Sequence, residues 1–314
     1  MKLTMSGGAL GSFRSAIVAA FVVILNACGD EQREVSLASE EIPQIFAVNY
    51  PIAYFATVLA ADDAVISFPA PAGIDPAYWQ PSVDTILAYQ RADRILLNGA
   101  GYARWVHQIS LPQQRLIDTG VAYAKDLIAA ETGPAHSHGP DGAQPHGEFA
   151  FTTWLDLGLA QQQVAAISAA MRDLMPANSA IIAERAARLT LELAEIDRSL
   201  ERATAKLRGV PILFSHPVYQ YLERRYQLTG RSVHWEPDAM PTVAQWQALE
   251  DLLAEHPARF MLWEDEPLPQ VRNRLSAMGL KVVVYRTLEN RPAQSEFLSV
   301  MRTNVDAMLE QALL

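Results

Sequence analysis

The pattern of apolar and polar positions is most regular over residues 178–208. Ile182, Ala186, Leu189, Leu193, Ile196, Leu200, Ala203 and Leu207 recur at alternating steps of four and three, the spacing of one apolar seam on a helix. The stretch has no internal Gly or Pro and is rich in strong helix formers. Pro176 and Asn178 mark a start, and Gly209 with Pro211 a stop. At about 1.5 Å per residue the helix would be roughly 45 Å long, more than one lobe of such a chain needs. A core helix or a coiled-coil arm would carry the same pattern, but a coiled coil also wants paired flanking charges and a partner. The preferred reading is a strut spanning two lobes.

On either side, short apolar runs alternate with helical stretches. Residues 45–48 (IFAV), 65–68 and 94–97 (RILL) read as strands, with helices over 52–61 and 83–91 and the start of another over 102–107. Residues 69–81 are rich in Pro and Gly and form a loop. After the strut the opening repeats. Residues 211–214 (PILF) are a strand, Ser215-His216-Pro217 a turn and 218–226 a helix, as IFAV, Asn49-Tyr50-Pro51 and the first helix are in the first half. Helices over 241–255, 267–278 and 295–314 and strands over 259–263 and 281–285 complete the chain. Alternation of this kind implies parallel pairing, hence an α/β fold of two doubly wound, Rossmann-like lobes. Ligands of such sheets sit at the carboxyl ends of strands, so the loops after Val48, Phe68, Phe214, Trp263 and Tyr285 should line a cleft.

The amino terminus is set aside from the fold. Lys2 and Arg14 precede a ten-residue apolar run over 16–25, too short to span a bilayer. The run ends at Leu25-Asn26-Ala27-Cys28, and Cys28 is the only cysteine. This reads as a lipoprotein signal peptide over 1–27 with the lipid on Cys28, followed by a polar tether over 28–41. Its removal takes away only Lys2 and Arg14 and moves the formal charge from −10 to −12. That acidity argues against nucleic acid as a partner. The remaining divisions are an N-terminal lobe over 42–177, the bridging helix over 178–208 and a C-terminal lobe over 209–314.

Of seven histidines, His136, His138 and His146 crowd into a Gly/Pro-rich loop over 133–149 (HSHGPDGAQPH at its centre). Such a segment collects metal or is a solvated loop with no specific ligand. It does not fit a metallohydrolase HxHxDH pattern: the aspartate falls one position late, the next histidine is missing and no strand precedes it. No nucleophile or acid–base pair is readable, so an enzyme is not expected. His107, His234 and His256 read as structural or surface residues.

Residues 73–81 (GIDPAYWQP), Ala92-Asp93 through Asn98-Gly99 with Trp105, the His loop followed by Trp154-Leu155-Asp156, and Phe214-Ser215-His216 with Tyr221 fall in an order and spacing that resemble the metal-specific (cluster A-I) solute-binding proteins of ABC importers, the zinc- and manganese-uptake receptors. The resemblance covers nearly the whole chain after the tether. It implies two α/β lobes bridged by one long rigid helix, a lipid-anchored receptor facing the periplasm or cell exterior, Zn2+ or another transition-metal ion as cargo, and a membrane ABC permease as partner. The family's four ligand places fall on Ala77, Thr152, His216 and Arg286, of which His216 alone can ligate. One imidazole does not hold zinc, which takes about four N, O or S ligands.

Two readings follow. A metal site is rebuilt from His216, one or more of His136, His138 and His146, and an acid such as Glu148 or Glu264. Alternatively Tyr78, Trp79, Tyr219, His216, Glu264 and Arg286 line a pocket for a small organic molecule, a chelated metal or an acid that pairs with Arg286; a protein partner is a further alternative. Each residue also has a packing role open to it: Tyr78 and Trp79 within their loop, Arg286 against Glu264 or Glu289, and His216 as a cap on the helix after it.

Overall fold

The computed structural model describes residues 42–130, 136–137, 143–144 and 148–312. Cys28, the signal-peptide and tether segments, His138 and His146 lie outside them, and of His136 only the backbone is described. The first lobe runs β1 (Gln44–Ala47), α1 (Tyr50–Ala60), β2 (Val65–Ser67), α2 (Val83–Arg91), β3 (Arg94–Leu97) and β4 (Leu116–Asp118). Two-residue strands β5 (His136–Ser137) and β6 (Ala143–Gln144) pair antiparallel. Then come α3 (Leu157–Leu174) and the long α4 (Ser179–Thr204). The second lobe runs β7 (Pro211–Phe214), α5 (Gln220–Tyr226), β8 (Thr229–Ser232), α6 (Val243–Glu255), β9 (Phe260–Trp263), α7 (Pro269–Ala277), β10 (Lys281–Val284) and α8 (Phe297–Ala312).

The two four-stranded parallel sheets are wound alike. Their orders are β2-β1-β3-β4 and β10-β9-β7-β8, so in each the opening strand is flanked by the second strand of its lobe on one side and the third on the other. The helix starts follow from local chemistry. Asn49, Ser82 and Thr242 each accept a backbone N–H of the first turn through the side chain, and Thr242 and Gln245 form a reciprocal capping box. Asp156 caps α3 by accepting from Gly158 and Leu159.

The strut is α4, extended by 3-10 turns at Pro176–Asn178 and Ala205–Leu207. All eight residues of the expected seam are buried. The seam packs on α1 and α3 of the first lobe and on α8 of the second, so one apolar core runs unbroken from the first lobe along α4 into the second. A smaller core built around Trp235, Trp246 and Trp263 lies between the second sheet and its outer helices. Asn178 does not cap the strut; its side chain hydrogen-bonds Asp63. A buried acid on the strut, Asp197, receives Arg225 and the Tyr226 hydroxyl of α5, which fixes the second lobe to it.

Five elements have no counterpart in the pattern reading: α3, β4, β8 and the two-residue strands β5 and β6. The expected helix over 102–107 is only a 3-10 turn, Arg104–His107. The reason is the backbone before it, where Gly99, Ala100, Gly101 and Ala103 all take positive φ and cannot enter a right-handed helix. At Gly230 in β8 an added Cβ would lie 2.0 Å from the Phe214 ring, so the close approach of β8 to β7 requires glycine there.

Candidate functional site

In each sheet the carboxyl ends of the first and third strands frame a crevice, and the two lobes fill theirs differently. In the first lobe Asn49 follows β1 and Asn98 follows β3. Asn49 donates to the Asn98 side-chain oxygen at 3.0 Å, and Gln163 donates to the same oxygen at 3.2 Å. All three are fully buried, so this crevice is closed by amides. In the second lobe the equivalent places hold ionisable groups. His216 follows β7, and Glu264 follows β9.

The His216 ring is 7% exposed and lies between two carboxylates. Its Nδ1 is 3.4 Å from Glu264 Oε1 and its Nε2 3.8 Å from Glu236 Oε1. Glu236 is placed by the chain leaving β8, whose Val233 and Trp235 N–H groups donate to the carbonyls of Phe214 and Ser215. Burial works against the imidazolium, but Glu264, then Glu236 and Asp75, outweigh it and raise the pKa to about 9. Below that pH the ring is a cation among acids.

Two more carboxylates complete the cluster. Asp75 comes from the 69–81 loop of the first lobe. Burial pushes its pKa up to about 6, with Glu264 and Glu236 adding to the shift and the Ala77 N–H, which it accepts at 2.8 Å, opposing it. Glu289 follows β10 and is also raised, first by burial and then by Glu264 and Asp75, against the Thr287 hydroxyl that donates to it. Glu236 is raised by burial too. The loop carrying Asp75 is held to the second lobe by Asn290, whose amide donates to the carbonyls of Pro71 and Ile74, both at 2.7 Å. Next to it the Trp154 indole donates to the Thr287 carbonyl and the Tyr50 N–H to the Glu289 carbonyl. One imidazole and four carboxylates from five loops therefore share one electrostatic neighbourhood. Among the described residues no three His, Cys, Asp or Glu side chains already surround a point at metal-ligating distance; the groups pair with each other.

The structure places His216 beside Glu264 and adds Asp75, Glu236 and Glu289 to the neighbourhood, which the sequence reading did not select. His234, read there as structural or surface, has its ring 6.1 Å from that of His216. Other residues differ from expectation. Tyr219 is fully buried and donates its hydroxyl to the Tyr285 carbonyl at 2.8 Å, so it is a core residue, not a cleft wall. Arg286 pairs with Asp265 at 3.1 Å, not with Glu264 or Glu289. Trp79 meets Trp105 edge to face at 6.4 Å. Tyr78 stays beside the cluster and feels Asp75, Glu236 and Glu264. Ala77 is buried and Thr152 donates to the Val218 carbonyl. Glu148 is exposed. His256 is buried against the Ile212 carbonyl at 3.0 Å, and His107 is exposed.

No helix among the described residues is long and apolar enough to cross a membrane. A family model described as the zinc-uptake complex component A, periplasmic, matches residues 45–311. The fold is similar to that of the metal-dependent lipoprotein YcdH from Bacillus subtilis, with 20% identity over 85% of this chain and 98% of that one and a TM-score of 0.73. The Zn(II)-bound ZnuA-like domain of AdcA from Streptococcus pneumoniae is 21% identical over 86% of this chain and 98% of that one, with a TM-score of 0.72. A mutant of FpvC from Pseudomonas aeruginosa is 19% identical over 85% and 99%, with a TM-score of 0.69. No curated protein matches the chain by sequence.

Proposed function

The chain belongs to the family of the periplasmic zinc-uptake complex component A, and on that premise we propose that it captures a transition-metal ion, zinc foremost, in the cleft at His216 and delivers it to a membrane ABC permease. The observation that carries this reading is the buried imidazole flanked by carboxylates at 3.4 and 3.8 Å. Ligand atoms bound to zinc at about 2.0–2.2 Å stand roughly 3.3–3.6 Å apart in a tetrahedral site, so the His216–Glu264 spacing already suits two neighbouring ligands. A divalent ion would take over the charge that the imidazolium now supplies, and would relieve Asp75, Glu236 and Glu289, whose pKa values burial raises.

In this reading the chain is a cluster A-I receptor whose usual ligand places, Ala77, Thr152 and Arg286, are replaced, with Asp75, Glu236, Glu264 and Glu289 supplying the oxygen donors. A single nitrogen among oxygens is a harder donor set than several histidines, which makes manganese the competing cargo. His136, His138 and His146 act as a collecting loop, and lipid on Cys28 holds the receptor at the membrane; a Cys28→Ser variant should leave the membrane fraction.

The test is calorimetry of the chelator-stripped protein with zinc and with manganese. One tight zinc site should be present, be lost in His216→Ala, fall at least tenfold in Glu264→Gln, and survive deletion of residues 134–147. Absence of a tight site in the parent, or a site indifferent to His216→Ala, would overturn the assignment.

A further inference from the structure

Outside the ion-paired cluster, the first lobe's wall of the cleft carries a cation that has no anion among the described residues. Arg104 follows Gly99, Ala100, Gly101 and Ala103, all at positive φ. Left-handed alanines are uncommon and cost free energy, so this turn is held against its local preference. The turn presents two polar groups that nothing among the described residues satisfies. Among the described residues, the buried Nη2 atom of Arg104 has no hydrogen-bond partner and no carboxylate lies within 4.0 Å of the guanidinium. Its guanidinium carbon lies over the Tyr78 ring, 5.9 Å from the centroid. Beside it the hydroxyl of Tyr102, a residue 5% exposed, is also buried without a partner. Phe151 packs edge to face on both Tyr78 and Tyr102, joining the three into one wall.

Burying a guanidinium nitrogen and a phenol without partners is costly, and such groups call for a ligand or a reason. The cleft itself supplies the setting. Tyr78 feels Arg104 on one hand and Asp75, Glu236 and Glu264 on the other, and Tyr102 feels Asp75 and Glu289. The unpaired donors therefore adjoin the acidic cluster without joining it. Arg286, the other arginine near the carboxyl ends of the strands, is already taken by Asp265.

We propose that Arg104 and Tyr102 form a carboxylate-binding subsite, and that the protein takes its metal as a complex with a small hydroxy- or aminocarboxylate whose free carboxylate docks on these two donors. The inference rests on the metal reading above and deepens it. The metal end meets His216 and its acids, and the anionic end meets a planar guanidinium suited to bidentate carboxylate pairing. Such an arrangement also brings negative charge with the ligand to the one part of the cleft that lacks it.

The experiment uses the whole protein, zinc, and radiolabelled citrate as the probe carboxylate, with retention of citrate measured by equilibrium dialysis with and without zinc. Citrate should be retained in the presence of zinc, and retention should weaken about ten- to a hundredfold in Arg104→Gln, the loss of a charge-assisted pair. Tyr102→Phe should weaken it several-fold, and Arg104→Lys should restore little, because a point charge does not replace the fork. Zinc alone should bind all variants within about threefold of the parent, and their thermal midpoints should stay level or rise, since an unpaired buried donor has been removed. Citrate not retained by the parent, or retained equally by Arg104→Gln, overturns the subsite. Binding of zinc alone with no citrate retained overturns this inference and leaves the receptor reading standing. Arg104-dependent retention of the complex without binding of bare zinc upholds the inference and retires bare zinc as cargo.

Discussion

The charge on His216 can be read directly by NMR titration of its imidazole in the metal-free protein. An ordinary histidine titrates near 6.5; here Glu264, Glu236 and Asp75 overcome burial and place the midpoint at about 9. The folded-state pKa lies above the unfolded one, so the charged ring contributes stability that is fully present below about pH 6.5 and is lost as pH rises through about 9. The rise from 6.5 to about 9 corresponds to roughly 3 kcal/mol, little screened by solvent because the ring is almost wholly buried. Glu264→Gln removes the strongest raising partner and should lower the midpoint by about 1–3 units. A mutational control, Asp265→Asn, leaves the cluster intact and should leave the midpoint in place. A His216 midpoint near 6.5 in the parent, or one unmoved by Glu264→Gln, would refute the ion-paired picture of the cleft.

Other outcomes follow from the same packing and charge arrangement. A metal binding at His216 must displace its proton, and Glu289, whose carboxyl burial raises to about 8, must also lose most of one to become a donor, so calorimetry at pH 7 in buffers of different ionisation enthalpy should show more than one proton released per zinc. Leu193→Ala opens a fully buried position in the strut seam and should cost about 2–5 kcal/mol in denaturant unfolding. Gly230→Ala drives a methyl into the Phe214 ring; it should destabilise by about 1–3 kcal/mol and weaken zinc binding, because Phe214 leads directly into Ser215 and His216. Asn98→Leu leaves the buried Asn49 and Gln163 amides without their shared acceptor and should cost about 1–3 kcal/mol, with zinc affinity unaffected.

The strut and the repeat of two lobes were legible because they rest on local pattern. The seam from Ile182 to Leu207 repeats over seven steps, and PILF-SHP echoes IFAV-NYP in the same order of strand, turn and helix. Where pattern was thin, elements went unseen. Thr229–Ser232 has no apolar alternation and is a strand because β7 lies beside it, while Leu116–Asp118 is only three residues long. Helix α3 buries Ala160, Gln163 and Ser168 as well as larger residues, which blurs its apolar face. The candidate site divides the same way. His216 stood out through its turn, and Glu264 as the residue after a clear strand. Asp75, Glu236 and Glu289 are unremarkable in sequence; they matter because the winding brings the loops after β2, β8 and β10 to one end of the molecule. Arg286 drew attention as a cation near the last strand, but Asp265, one residue beyond Glu264, reaches it first. Arg104 gave no signal, since what distinguishes it is the partner it lacks.

The clasp of Asn290 on the carbonyls of Pro71 and Ile74 bears on how the receptor can diverge. Both acceptors are main-chain atoms, so the fastening does not depend on which side chains occupy positions 71–74. Drift at those exposed positions can reshape the mouth of the cavity, its bulk and its polarity, while the bolt across it stays the same. Only Asn290 itself carries the constraint, so a lineage that loses this amide would free the 71–74 loop from the second lobe whatever side chains that loop then bears.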